Sequence, residues 1–128
     1  MRLLVMGSTL FLCCLPAFVS AQADKGQLAF NNACRTCHSV KEGDNRLGPS
    51  LYGILGNKAA SSEGYGAYST ALRNSGIVWD EKTLDAFIAN PEKVVPNNNM
   101  KPYSGISDPE VRRQIVAYLK SEEEKAKD

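Results

Sequence analysis

The sequence predicts a single, mostly helical domain. Three observations predict it. Helix starts are written out at Asp80 and at Ser107-Asp108-Pro109-Glu110, where short side-chain oxygens stand ready to accept from the first free backbone N–H groups. The second start is followed by Val111, Ile115, Tyr118 and Leu119, the spacing of one helix face. The Gly-, Ala- and Ser-rich stretch from Tyr52 to Tyr68 sustains no period and reads as loop wrapped over something, not as sheet. At 128 residues, with no internal repeat, the chain is long enough for one domain.

Residues 1–23 read as a secretory signal peptide and 24–128 as the domain. Met1-Arg2 is a brief basic start, Leu3 to Phe18 an apolar run, and cleavage is expected after Ala21 or Ala23. The run is short for a membrane span, so stable membrane insertion is not expected, although an uncleaved anchor is the alternative. Losing Arg2 leaves 14 basic against 14 acidic residues. That balance gives no signal for nucleic acid or for a charged membrane surface.

The first helix is expected from Asp24 to His38, with Leu28, Ala29, Phe30 and Ala33 apolar or small. Gly26 inside it is a weak helix former, marking either a frayed end or the close approach of another backbone. The helix carries Cys34-Arg35-Thr36-Cys37-His38, the attachment pattern of a c-type haem. Residues three and four apart share a helix face, so both thiols and the imidazole can address one flat group. Each S–H can add across a haem vinyl group to form a thioether, and His38 then lies under the iron as proximal ligand. Zinc would need about four Cys or His ligands. Here Cys13 and Cys14 fall in the expected signal segment and His38 is the one histidine in the chain. A thioredoxin-like pair lacks its βαβ context, and a structural disulfide leaves the adjacent histidine without a role. About a hundred residues bury only a modest core, so a large apolar cofactor would supply much of the missing interior.

After His38 the chain turns irregular. A carbonyl near Gly48-Pro49 can accept the second ring N–H of His38, or the pair is an ordinary turn. Ser69 to Asn74 suggests a short helix ended by Ser75-Gly76. Asp80 caps a helix through Ala89, which Pro91 stops at Asn90. Trp79 suits the core, with an N–H that needs a partner. Pro91 to Ile106 reads as irregular, and the tail from Ser121 as solvated and frayed. Met100, the one methionine outside the signal segment, sits in this Pro- and Asn-rich loop. A loop methionine alone is a gap-filler, but with a haem motif upstream it becomes a candidate second ligand.

Beyond the five-residue motif, Lys25-Gly26, Phe30, Gly48-Pro49-Ser50-Leu51-Tyr52-Gly53, Asn74-Ser75-Gly76-Ile77-Val78-Trp79, Thr83-Leu84, Asn90-Pro91, Pro96, Met100 and Tyr118-Leu119 together resemble the class I c-type cytochromes. The resemblance implies a single-domain fold with crossed N- and C-terminal helices around one covalently bound haem c, Gly26 and Phe30 meeting Tyr118. It implies His38 and Met100 as axial ligands, the Pro49 carbonyl holding His38, and Tyr68 and Trp79 bonded to a haem propionate. Departures from the common pattern are Asn57 for an arginine, with Lys58 as a substitute charge, Phe87 for a tyrosine near the methionine, and Asn98 and Asn99 for Thr and Lys.

The function implied is a periplasmic one-electron carrier, not an enzyme, and a monomer. Its partners would be redox proteins such as a cytochrome bc complex, a terminal oxidase, a photosynthetic reaction centre or a dehydrogenase. Lys41, Lys93 and Lys101 are candidate docking contacts. The alternatives are a haem enzyme or gas-binding protein with a labile Met100, disfavoured by the lack of a second histidine, or a membrane-tethered carrier.

Overall fold

The structure, a computed structural model, describes residues 17–128, so the apolar run and Cys13 and Cys14 lie wholly or largely outside the described residues. Among the described residues five helices follow in order: α1 Ala17–Ala33, α2 Thr70–Arg73, α3 Glu81–Ala89, α4 Pro91–Val94 and α5 Pro109–Lys125. Among the described residues the β structure is one isolated bridge, Lys58 to Val78. None of the described helices is long and apolar enough to cross a membrane.

α1 differs from expectation at both ends. It is already helical at Ala17, upstream of the expected start of the domain, and stops at Ala33, before the cysteines. Cys34 to Cys37 form a hydrogen-bonded turn instead, in which the Phe30 carbonyl accepts from both Cys34 and Arg35 N–H at 2.8 and 3.1 Å. Gly26 does not mark a fray. It lies at the crossing with α5, where a Cβ would stand 2.6 Å from the Gln114 carbonyl oxygen and 2.8 Å from Tyr118 Cβ. One turn on, the Phe30 and Tyr118 rings pack at 5.4 Å and 50°.

α3 opens as the sequence predicts. Asp80 Oδ1 accepts from Thr83 N–H at 2.7 Å, and Thr83 Oγ1 accepts from Asp80 N–H at 2.8 Å. Pro91 does end α3, but it also opens α4, which the sequence reading left irregular. A proline at the first helical position loses nothing, because that N–H has no helical partner anyway. Asn90 Oδ1 caps the new helix by accepting from Lys93 N–H at 3.0 Å. α5 is capped by Asp108, not by Ser107 of the expected capping box, with Oδ1 accepting from Glu110 N–H at 2.8 Å. The helix continues past Ser121 to Lys125 on a tail that is mostly exposed. Lys125 to Glu122 and Lys127 to Glu123 ion pairs, at 2.6 and 2.7 Å, lace the last turns.

The core gathers Phe30 from α1, Leu84, Phe87 and Ile88 from α3, and Ile115, Val116, Tyr118 and Leu119 from α5, with Trp79 and Val95 from the loops. Arg112, whose side chain is 13% exposed, joins α3 to α5: Nε donates to Asp85 at 2.8 Å, and Nη1 to the carbonyls of Ile106 and Ser107.

Two substitutions test this frame by denaturant unfolding of the haem-loaded protein. Gly26→Val forces the crossing helices apart and should cost about 1–3 kcal/mol, the usual range for overpacking. Ile115→Ala, at a fully buried side chain, should cost about 2–5 kcal/mol. A midpoint unchanged by Gly26→Val would show that the helices do not meet there.

Candidate haem site

The turn after α1 brings the motif together. His38 and Cys37 N–H both donate to the Cys34 carbonyl, at 2.9 and 3.1 Å, and Gly48 N–H donates to the Cys37 carbonyl at 2.8 Å. Cys34, Cys37 and His38 all line one cavity of about 710 Å3. That volume falls in the range of about 300–1,000 Å3 found for cofactor sites. Neither cysteine is in a disulfide.

Burial, and then the neighbouring Cys37, push the Cys34 thiol up to about 11. It therefore stays S–H, the form that adds across a vinyl group. That upward shift is the opposite of the lowered thiol a redox-active pair relies on. Among the described residues no group of three or more His, Cys, Asp or Glu is placed to hold a metal ion.

His38 is 7% exposed. Its Nδ1–H donates to the Pro49 carbonyl at 2.7 Å, which assigns the tautomer and leaves Nε2 as the free lone pair. Gly48 packs flat against the ring, where a Cβ would stand 2.8 Å from Nδ1. Burial lowers the imidazole's basicity, against the opposing pull of the Pro49 bond, so His38 is held neutral.

Met100 lines the same cavity. Its N–H donates to Asn98 Oδ1 at 2.9 Å, and Asn98 is itself buried and donates from Nδ2 to the Val95 carbonyl at 3.0 Å. Asn99 Nδ2 reaches the Ala67 carbonyl at 3.0 Å, joining this loop to the one before Tyr68. Downstream, the Ile88 carbonyl at the end of α3 accepts from Tyr103 O–H at 2.5 Å and from Ile106 N–H at 3.0 Å. Burial pushes Tyr103 up to about 12, so it keeps the proton it donates.

Trp79, Leu84, Phe87, Ile88, Ile115 and Leu119 give the cavity an apolar wall. Phe87 meets Trp79 edge-on at 5.1 Å and has no hydroxyl to offer Met100. Trp79, 6% exposed, also lines the cavity. Tyr68 also lines it, its hydroxyl accepting from Ser62 N–H at 3.2 Å. Asn57 and Lys58 both line the cavity, and Asn57 Nδ2 donates to the Gly53 carbonyl at 2.6 Å. Of the three candidate docking lysines, Lys101 lines the cavity and is paired with Glu92 at 2.6 Å, while Lys41 and Lys93 lie outside the lining.

All seven site residues expected from the sequence, Cys34, Cys37, His38, Pro49, Tyr68, Trp79 and Met100, thus line one cavity. The sequence reading missed Glu92, Asn98 and Tyr103 as supports of the Met100 loop. The signal available was a glutamate and three asparagines in a segment otherwise short of side chains able to anchor it. An apolar slot lined by two thiols, a neutral imidazole and a thioether has the donor set a haem requires.

The family model described as cytochrome c matches residues 23–123. The chain belongs to the cytochrome c family. Cytochrome c of Euglena viridis is 39% identical over 99 residues, covering 77% of this chain and 95% of that one. Cytochrome c2 iso-2 of Magnetospirillum fulvum is 42% identical over 88 residues, covering 69% and 90%. Among solved structures, cytochrome cH from Methylobacterium extorquens superimposes with a TM-score of 0.70 at 41% identity, covering 77% of this chain and 97% of that one. As a class I c-type cytochrome the protein carries haem c, and Cys34 and Cys37 are the thiols that bind it covalently.

Cys34→Ser or Cys37→Ser should leave the haem held by one thioether, and the double variant should lose it on denaturation. Haem staining after denaturing electrophoresis reads this directly. Stain retained by the double variant would rule out both attachment positions.

Proposed function

We propose that the chain is an exported, diffusible periplasmic carrier of single electrons in which His38 and Met100 are the axial ligands. The observation that carries this reading is that one apolar cavity holds a neutral imidazole with its Nε2 free, a thioether and the two attachment thiols. When bound, the haem supplies a one-electron couple. The protein's part is to hold it still and to tune it. Pro49 and Gly48 set the angle of the His38 ring, and a sulfur ligand favours the reduced iron, raising the potential. Two protein ligands leave no iron position for a substrate, which is why transfer and not catalysis is proposed. Leu47 both lines the cavity and is 75% exposed, so the cavity opens to solvent beside it. Encounters there with redox partners, such as a cytochrome bc complex, an oxidase, a reaction centre or a dehydrogenase, would be small and transient. Export rests on the basic start and apolar run before Ala21 and Ala23, with residues 1–23 removed.

An optical spectrum tests the ligation. The oxidised protein should show the weak far-red sulfur-to-iron band, and the reduced protein should not respond to carbon monoxide. Met100→Ala should abolish the band, admit carbon monoxide and lower the potential by at least about 60 mV, a tenfold shift between oxidation states. Ready carbon monoxide binding by the parent would favour a gas-binding or enzymatic protein instead.

The pH dependence has a definite sign. A proton competes with the metal for the same Nε2 lone pair, and burial already disfavours the charged imidazole, so the bond is complete at neutral pH and is lost as pH falls. Acid titration should therefore release the His38 bond, seen as a spin-state change, with no matching loss on the alkaline side from this group.

A further inference from the structure

We propose that Glu92 is a positioning residue for Met100: its carboxylate grips the ligand loop on both sides of the methionine. The inference rests on Met100 being an axial ligand. Glu92 stands on α4, a short helix rooted by the Asn90 cap, by the fully buried Pro91 and by Val95 at 3% exposure. From that root the carboxylate gathers three donors. Oε1 accepts from Asn97 N–H at 2.9 Å, and Oε2 accepts from Asn98 Nδ2 at 3.1 Å and from Lys101 Nζ at 2.6 Å. Asn98 passes the grip on, since its Oδ1 receives the Met100 N–H at 2.9 Å. Lys101, the residue after Met100, is held from the other side. The thioether is thus bracketed at 97, 98 and 101 by one side chain.

Exposure shows where the strength lies. The Glu92 and Lys101 side chains are 51% and 56% exposed, and an ion pair that wet contributes little by itself. Asn98, in contrast, is 4% exposed, and a buried amide deprived of a partner is costly. The carboxylate matters chiefly because it completes the partners of Asn98 and of Asn97 N–H, where the backbone runs through a left-handed turn at φ +64°.

The test uses the haem-loaded protein, with exogenous imidazole as a competitor for the Met100 position on oxidised iron. Glu92→Ala should weaken the far-red sulfur-to-iron band and lower the imidazole dissociation constant about tenfold, because ligand-free iron becomes that much more populated. Glu92→Gln keeps an oxygen for Asn97 N–H but loses the charge for Lys101, and should fall between. Glu81→Ala, which breaks the surface pair with Lys120, is the control and should leave imidazole binding unchanged. Unfolding midpoints separate a loosened loop from a destabilised fold. An imidazole constant for Glu92→Ala within about twofold of the parent, or an equal response from Glu81→Ala, would overturn the positioning role. A parent protein lacking the sulfur band would instead overturn the ligation on which this inference stands.

Discussion

The His38 ring, bonded through Nδ1 to the Pro49 carbonyl and backed by Gly48, is the contact on which the rest of the structure depends. It converts a five-residue pattern into a defined site. A histidine at the end of a turn could swing freely, but this one has a single tautomer and one open nitrogen. One buried environment holds the imidazole neutral and the Cys34 thiol protonated.

The helices serve that contact from a distance. α1 and α5 cross where Gly26 lets backbone meet backbone, and Phe30 on Tyr118 fixes the angle. The turn bearing Cys34 to His38 leaves α1 after Ala33, one helical turn beyond Phe30, so the crossing sets where the motif stands. α3 contributes Leu84, Phe87 and Ile88 to the cavity wall, and the end of the same helix anchors Tyr103 and Ile106 beyond Met100. Packing, ligand presentation and cofactor environment therefore share residues and cannot be tuned separately.

The Met100 loop is built on different physics. Val95 and Asn98 are its buried residues, and it is held otherwise by hydrogen bonds: Asn98 to Met100, Asn99 to Ala67, and Glu92 to Asn97, Asn98 and Lys101. Polar ties are short-ranged and directional, so they fix a loop without a large apolar face. They also respond to single charge changes more readily than the packed wall around Trp79 does.

The sequence by itself determined the cofactor chemistry, the mostly helical class, the start of α3 and the seven lining residues. Each rests on local information: the spacing of Cys34, Cys37 and His38, the Asp80 cap, the apolar stripe from Val111 to Leu119, and a family pattern spread along the chain. Tertiary structure decided what depends on residues far apart. It ended α1 at Ala33, showed Gly26 to be a crossing point, began α4 at Pro91 and moved the α5 cap to Asp108. It also gathered Glu92, Asn98 and Tyr103 around Met100, because hydrogen bonds made across folded loops leave no period or spacing to be read along the chain.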